Sequence, residues 1–485
     1  MAESTTTLIY SVRWRVIGKY LGQLSLMLAL VTLVPLAVSL YFHEYHISLR
    51  YLLVVGILLA MFMPSHYLPV PERIQSNEAL VIVALMFVLS AVLMAYPTMG
   101  AHVSVMDALF ESISGVTTTG LSTLPTVEDK PASFLFARAW MQWYGGLGIV
   151  VLSVGLLMGH QAAVKRLTES AAGSDFDTTA RVYARRMLAV YVALTLAGIA
   201  LLWLFGGNGF EALTHTLSAV STGGFATHDA SLAAFAWPMR FAVIALTVCG
   251  ALPFPLYYLL YKRQWRSVFT DVEFKALIGA CVVVAALLAL LLYFETGLPM
   301  SDSLAHGVLL GASAQTTAGF TSYPIHELGP TAKLIMIVSM LSGGGIGSTA
   351  GGIKLLRLLV LFRLIQMLLQ RHAMPKHAVV KPRFAARVLE PEDIQQMALL
   401  FLLFVIVVIV SWVLFVFHGY PPIDALFEVV SATGTVGLST GITRQALEPL
   451  LKAVLCIDML LGRVEIIAFL VLFYPRTWFG KRTEG

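Results

Sequence analysis

One register of serine, threonine and glycine recurs four times along this chain, and it limits the fold more than any other feature. Gly120, Gly224, Gly319 and Gly437 lie roughly 100 residues apart. Two positions before each stands a threonine: Thr118, Thr222, Thr317 and Thr435. Six positions before each stands a serine: Ser114, Ser218, Ser313 and Ser431. The residue after each glycine is large and apolar: Leu121, Phe225, Phe320 and Leu438. Thirteen positions before, Asp107, Glu211 and Asp424 are acidic and His306 takes the place in the third copy. Unrelated loops do not share such a register, so the chain is four copies of one unit.

The units are embedded in apolar sequence. Of the 485 residues, 58% are hydrophobic and 12% charged. A soluble domain carries roughly a quarter charged residues. Many apolar runs reach the roughly 20 residues that span a bilayer. The pattern predicts ten spans: Tyr20–Phe42, Ser48–Met63, Ala79–Ala95, Phe134–Met158, Leu188–Phe205, Phe241–Tyr261, Ala276–Phe294, a broken segment from Ala332 to Gln370, Met397–Phe417 and Leu447–Phe473. The run from Tyr20 is too long for a signal peptide and reads as a retained first span. Cys249, Cys281 and Cys456 sit singly in apolar segments and read as small buried hydrophobes.

Most of the 32 Lys and Arg residues fall in 1–19, 64–78, 159–187, 262–275, 371–396 and 474–485. The positive-inside bias then places both termini in the cytoplasm and sends all four Thr-Gly loops in from outside. The expected fold is an all-α polytopic membrane protein. It has four parallel helix–pore loop–helix repeats around one pseudo-fourfold pore, plus an N-terminal two-helix hairpin. The divisions fall at 1–75 for the hairpin and 76–160, 161–265, 266–375 and 376–485 for the repeats.

In each loop a short amphipathic helix runs into an extended Thr-Gly segment between two spans. That order suits a cation path. A dehydrated potassium ion needs a substitute for its water shell, and rings of backbone carbonyls both bind and release it. Aiming successive carbonyls inward needs unusual backbone angles, which glycine tolerates. Each short helix also points its negative dipole end at the axis. Irregular backbone at membrane depth persists only when buried or lining water, a condition four converging loops meet. The candidate ion-binding residues are Thr117, Thr118, Thr119 and Gly120; Ser221, Thr222, Gly223 and Gly224; Thr316, Thr317, Ala318 and Gly319; and Thr435, Val436 and Gly437. Asp107 and Asp424 stand where a helix N-cap belongs, with a cation-attracting vestibule as the alternative. Glu111 and Glu428, four residues on, would fasten the short helix to its neighbours.

The third unit's second span is interrupted by ten residues, 343–352, that include Gly343, Gly344, Gly345, Gly347, Ser348, Thr349, Gly351 and Gly352. So many glycines do not keep a stable helix. The GK[ST] ending of a phosphate loop is missing, which argues against nucleotide binding. An unwound loop beneath the ion path would act as a gate; close packing of small residues is the other reading. The last span carries Asp458, Arg463 and Glu465. Charges this deep face partners or a water-filled cavity. Arg463 would set a positive charge in the ion's path, or would pair with Asp458 or Glu465 as a structural lock.

These residues together resemble the Trk/Ktr/HKT superfamily of potassium transporters, closest to the bacterial TrkH-type membrane subunit. The resemblance rests on the four loops, on residues 221–229, on 347–354 ending at Lys354, and on the stretch 140–152. It implies ion-filter glycines at 120, 224, 319 and 437, a gating loop at 343–352 and a barrier at Arg463. It implies a channel-like potassium uptake protein of the bacterial inner membrane rather than an enzyme, with potassium as substrate and no cofactor. It also implies a homodimer and a cytosolic nucleotide-binding regulatory subunit of the TrkA or KtrA kind. The alternative within transport is a sodium-permeable or proton-coupled symporter. Gly120 stands where serine accompanies sodium passage in this superfamily, which favours potassium.

Overall fold

The computed structural model describes residues 11–69, 74–159, 180–372, 383–384 and 387–479. Much of the basic sequence between spans, including 160–179 and 373–382, lies outside the described residues. Helices dominate the rest, as the all-α expectation required. A pair of two-residue strands, β1 (Arg383–Phe384) and β2 (Arg387–Val388), is the exception among the described residues.

The N-terminal hairpin comprises α1 (Trp14–Tyr41) and α2 (Tyr45–His66). Its helices touch through small residues. A Cβ on Gly22 would collide with Ser65, and Ser25 Oγ donates to Leu58 O at 3.0 Å. Close backbones and interhelical hydroxyls hold helices together where lipid removes the hydrophobic drive.

Four repeats follow. The first has α3 (Ser76–Thr98), α4 (Val105–Val116) and α5 (Ala132–Gly159). The second has α6 (Ala180–Leu204), α7 (Gly209–Val220), α8 (Trp237–Ala251) and α9 (Phe254–Tyr261). A short α10 (Trp265–Thr270) leads to the third, α11 (Val272–Thr296), α12 (Met300–Gln315), α13 (Pro330–Ser342) and α14 (Leu355–His372). The fourth has α15 (Pro391–Phe417), α16 (Pro422–Thr433), α17 (Pro449–Arg463), α18 (Ile466–Phe473) and α19 (Pro475–Phe479). By length and hydropathy α1, α2, α3, α6, α11 and α15 each contain a membrane span, and α8 with α9 forms a bent seventh.

The short helices α4, α7, α12 and α16 are half-helices. Twelve residues, as in α4, α7 and α16, rise about 18 Å, some half of the ~30 Å hydrocarbon core. Each begins at a local signal. Ser104 caps α4 by accepting from Asp107 N, and Asn208 and Glu211 form a reciprocal capping box on α7. Asp107 is therefore in the first turn rather than at the N-cap, and Asp424 likewise, since Pro421 precedes α16. The expected caps sit three residues too late because the helices start at the polar or proline residue before the apolar stretch.

Two spans expected to be continuous are broken. Between α8 and α9 the chain bends by 94°. Pro253 forces the preceding Leu252 out of the helical region, to ψ 144. The last span breaks between α17 and α18, where Glu465 adopts φ 61. No proline marks that break and the one nearby glycine, Gly462, is still helical; Arg463 and Glu465 reach separate partners there, described below. The third repeat is interrupted at 343–354, as the glycines foretold.

Candidate functional site

Each half-helix ends four residues before its register glycine, and each ends in the same way. Thr118 N donates to Gly115 O at 3.0 Å and Thr119 N to Ser114 O at 2.9 Å. Equivalent pairs join Thr222 to Ala219 and Gly223 to Ser218, Thr317 to Ala314 and Ala318 to Ser313, and Thr435 to Ala432 and Val436 to Ser431. This is a Schellman terminus, a motif that ordinarily puts glycine at its left-handed position. Here a threonine occupies it each time, with φ of 54 at Thr118, 52 at Thr222, 53 at Thr317 and 50 at Thr435. Left-handed β-branched residues cost of order 1–3 kcal/mol each and persist only where surroundings enforce them. The serine of the register supplies the carbonyl that closes the motif.

The glycines close a ring. A Cβ on Gly120 would strike Gly223 O, one on Gly224 would strike Ala318 O, one on Gly319 would strike Val436 O, and one on Gly437 would strike Thr119 O. The order runs from repeat one to two, three, four and back to one. The four Thr-Gly segments therefore surround one axis with their main chains in contact. Thr117, Thr118, Thr119, Ser221, Thr316, Thr317, Ala318 and Val436 are fully buried, and Thr222 and Thr435 nearly so.

Carboxylates on the half-helices brace the extended segments that follow. Glu111 Oε1 accepts from Ser122 Oγ at 2.5 Å and Thr123 N at 3.2 Å, while its Oε2 accepts from Arg138 Nε at 3.0 Å. Glu428 accepts from Ser439 Oγ, Thr440 N and Thr443 Oγ1 at 2.7, 2.7 and 2.6 Å. Both thus hold the extended segment of their own repeat, and Glu111 also reaches a neighbouring helix. Asp107 pairs with Lys452 across repeats one and four at 2.6 Å, and Asp424 with Lys333 across repeats four and three at 2.8 Å.

The Gly-rich loop lies against the deep end of the ring. Gly351 N donates to Thr317 Oγ1 at 2.7 Å, and Gly352 N to Gly434 O at 3.0 Å. Thr349 Oγ1 donates to Val220 O at 3.0 Å or Gly250 O at 2.9 Å and lies 3.4 Å from Thr222 Oγ1. The loop thereby touches the end of three half-helices. On its other side Arg463 Nη1 donates to Thr349 O at 2.8 Å, and Nη2 reaches Gly145 O at 3.5 Å. Arg463 is buried and has no carboxylate partner among the described residues: Asp458 accepts from Ser411, and Glu465 pairs with Arg357 at 2.6 Å. The structural lock expected as the alternative is absent. Three further contacts fix the loop. Glu273 Oε2 accepts from Ile346 N at 2.7 Å, Gln315 Nε2 donates to Gly343 O at 2.8 Å, and Lys354 Nζ donates to Ala350 O. The break between α8 and α9 also meets it, through Gly345 N to Ala251 O at 3.0 Å and Phe254 N to Gly347 O at 3.3 Å.

A family model described as TrkH, a cation transport protein, matches residues 55–478. The chain belongs to the TrkH family. An uncharacterized cation transporter of Methanocaldococcus jannaschii is 30% identical over 463 residues, covering 93% of this chain and 94% of that protein. The Trk system potassium uptake protein TrkH of Salmonella typhimurium is 30% identical over 420 residues, covering 84% of this chain and 87% of that protein. The crystal structure of the potassium transporter TrkH from Vibrio parahaemolyticus superposes with a TM-score of 0.85 at 25% identity, covering 96% of this chain and all of that one. The TrkH fold of four half-helix repeats is thus shared along nearly the whole chain.

Several contact residues of this TrkH-family site escaped the sequence reading. Gly145, Gly250 and Gly462 each let a second helix press on the end of a half-helix, at Val116 O, Val220 O and Thr433 O. Extending the register would have found them, since they follow the ring glycines by 25 or 26 residues. Gln142, Glu273, Gln315, Lys333 and Lys452 carried no such signal. Each finds its partner on another element, at a distance in the chain that no periodicity marks.

Proposed function

We propose that this chain is a channel-like potassium uptake protein whose ions pass along the axis of the Thr-Gly ring. The closed ring of main-chain contacts carries the reading. Four segments at the centre of a membrane fold present backbone and threonine oxygens and no ionised side chain, which suits a monovalent cation that must both bind and leave. The names of the TrkH relatives support potassium as that cation. The Gly-rich loop is the gate in this reading. It crosses the deep end of the ring, and Arg463 adds a fixed positive charge behind it. Assembly as a homodimer and regulation by a cytosolic nucleotide-binding subunit follow from the family resemblance and belong to the same proposal.

The test is ion flux in liposomes holding this chain alone, with potassium and sodium compared. The expected result is potassium flux with a preference over sodium. Gly224→Ser should weaken that preference, because a side chain there strikes the main chain of repeat three. An unchanged permeability ratio would sink the filter assignment. A flux that follows an imposed proton gradient would favour the symport reading instead.

A further inference from the structure

We propose that Gln142, on the second helix of repeat one, is a positioning residue for the Thr-Gly segment of repeat two, and that residue 223 is glycine because the Gln142 amide fills the space of its side chain. The inference rests on the ring being the ion path.

The second segment alone has a glycine directly before its ring glycine. The residue just before the ring glycine is Thr119, Ala318 or Val436 in the other repeats and Gly223 here. Its backbone does not explain the difference. Gly120, Gly224, Gly319 and Gly437 all have positive φ, and Gly223 does not. Alanine would fit its dihedral angles, as it does at Ala318. What occupies the space of a side chain is the Gln142 amide, which its hydrogen bonds hold in place: an added Cβ at 223 would overlap the Gln142 Cδ and Oε1, with Nε2 2.8 Å away.

Gln142 is fully buried, and its amide groups span the segment. Nε2 donates to Gly223 O at 2.6 Å. Oε1 accepts from Ser218 Oγ at 2.8 Å and from Phe225 N at 3.2 Å. One side chain therefore joins the half-helix α7, the carbonyl before the ring glycine and the amide after it. Gly223 O is also the atom that a Cβ on Gly120 would strike. Fixing this carbonyl fixes the seam between repeats one and two. In the third repeat the hydroxyl of Thr247 on α8 lies 3.3 Å from Thr316 Oγ1, a weaker brace from the corresponding helix. Glu111 and Glu428 serve repeats one and four from within. In repeat two His215 stands at that register position, nine before the ring glycine, and its ring faces Phe235 instead. Gln142 takes over the task that a carboxylate performs elsewhere.

The experiment has two arms. In liposomes, Gln142→Leu keeps the volume and removes both polar groups. The potassium-over-sodium permeability ratio should fall by about tenfold, the scale of a buried carbonyl left without its donor. An unaltered ratio in correctly folded protein overturns the positioning role. In detergent, thermal unfolding is measured for Gly223→Ala, Gln142→Ala and the double variant. Gly223→Ala should lower the midpoint clearly in the parent and little when Gln142 is already alanine. Equal losses in both backgrounds overturn the packing claim, and this arm needs no transport. Should the parent conduct no potassium while the cycle shows coupling, the proposed function fails and the Gln142–Gly223 fit stands.

Discussion

At the residue scale, the site depends on polar groups placed where no water compensates them. The Asp107–Lys452 pair shows the consequence. Both side chains are nearly fully buried, at 4% and 6% exposure, and they join the first repeat to the fourth. Asp107 also accepts from Ser104 and Thr123 hydroxyls. A buried pair gains little over a well-packed apolar substitute, yet removing one partner strands the other charge, at about 3–5 kcal/mol. Lys452→Met should therefore destabilise strongly, and Asp107→Asn with Lys452→Met should recover much of the loss. Thermal unfolding of the four proteins in detergent measures this; additive losses would mean that the contact is not a coupled pair. Little of this was legible in the sequence. The acidic position showed in the register, but its lysine partner lies more than 300 residues away, and no periodicity connects them.

At the element scale, the Gly-rich loop is held largely by directed hydrogen bonds, with Ile346 and Ile353 as its buried large side chains. Arg463 and Glu273 grip it from two different repeats. Arg463→Ala removes both the grip on Thr349 O and the fixed charge, so potassium flux through the lone chain should rise severalfold; flux equal to the parent would remove the gate proposal. Glu273→Ala leaves Ile346 N without its acceptor, at about 1–3 kcal/mol. The expected outcome is faster thiol labelling of Ser348→Cys in that background, with Glu273→Gln intermediate because it retains an acceptor. Equal labelling in all three would show that Glu273 does not hold the loop. The loop was legible because glycine content breaks a helix locally. The bend at Pro253 was available to the same logic but was masked by a continuous apolar run. The break at Glu465 was not legible, since Glu465 pairs with Arg357 of another repeat and the nearby Gly462 alone, still inside the helix, does not mark a break.

At the scale of the whole molecule, the ring is the structure that the four repeats make together and none makes alone. Its members were readable from the spacing of four glycines, because a repeated unit with an unpaired half-helix has to bury that half-helix against its copies. The closure was not readable: sequence register says that four segments are alike, not that each glycine meets the next repeat's carbonyl. That closure makes a prediction about equivalence. Alanine at Gly120, Gly224, Gly319 or Gly437 meets main chain that cannot withdraw without displacing the following segment. Each substitution should lower both the unfolding midpoint and the potassium-over-sodium ratio, and by similar amounts whichever repeat carries it. Gly441 provides the control. It also has positive φ, at 94, but nothing lies within 4 Å of an added Cβ. Gly441→Ala should cost only the backbone term, roughly 1–2 kcal/mol, and leave selectivity as it was. If a ring variant behaved like Gly441→Ala, its segment would have slack, and four interlocked main chains could not be what fixes the width of the path.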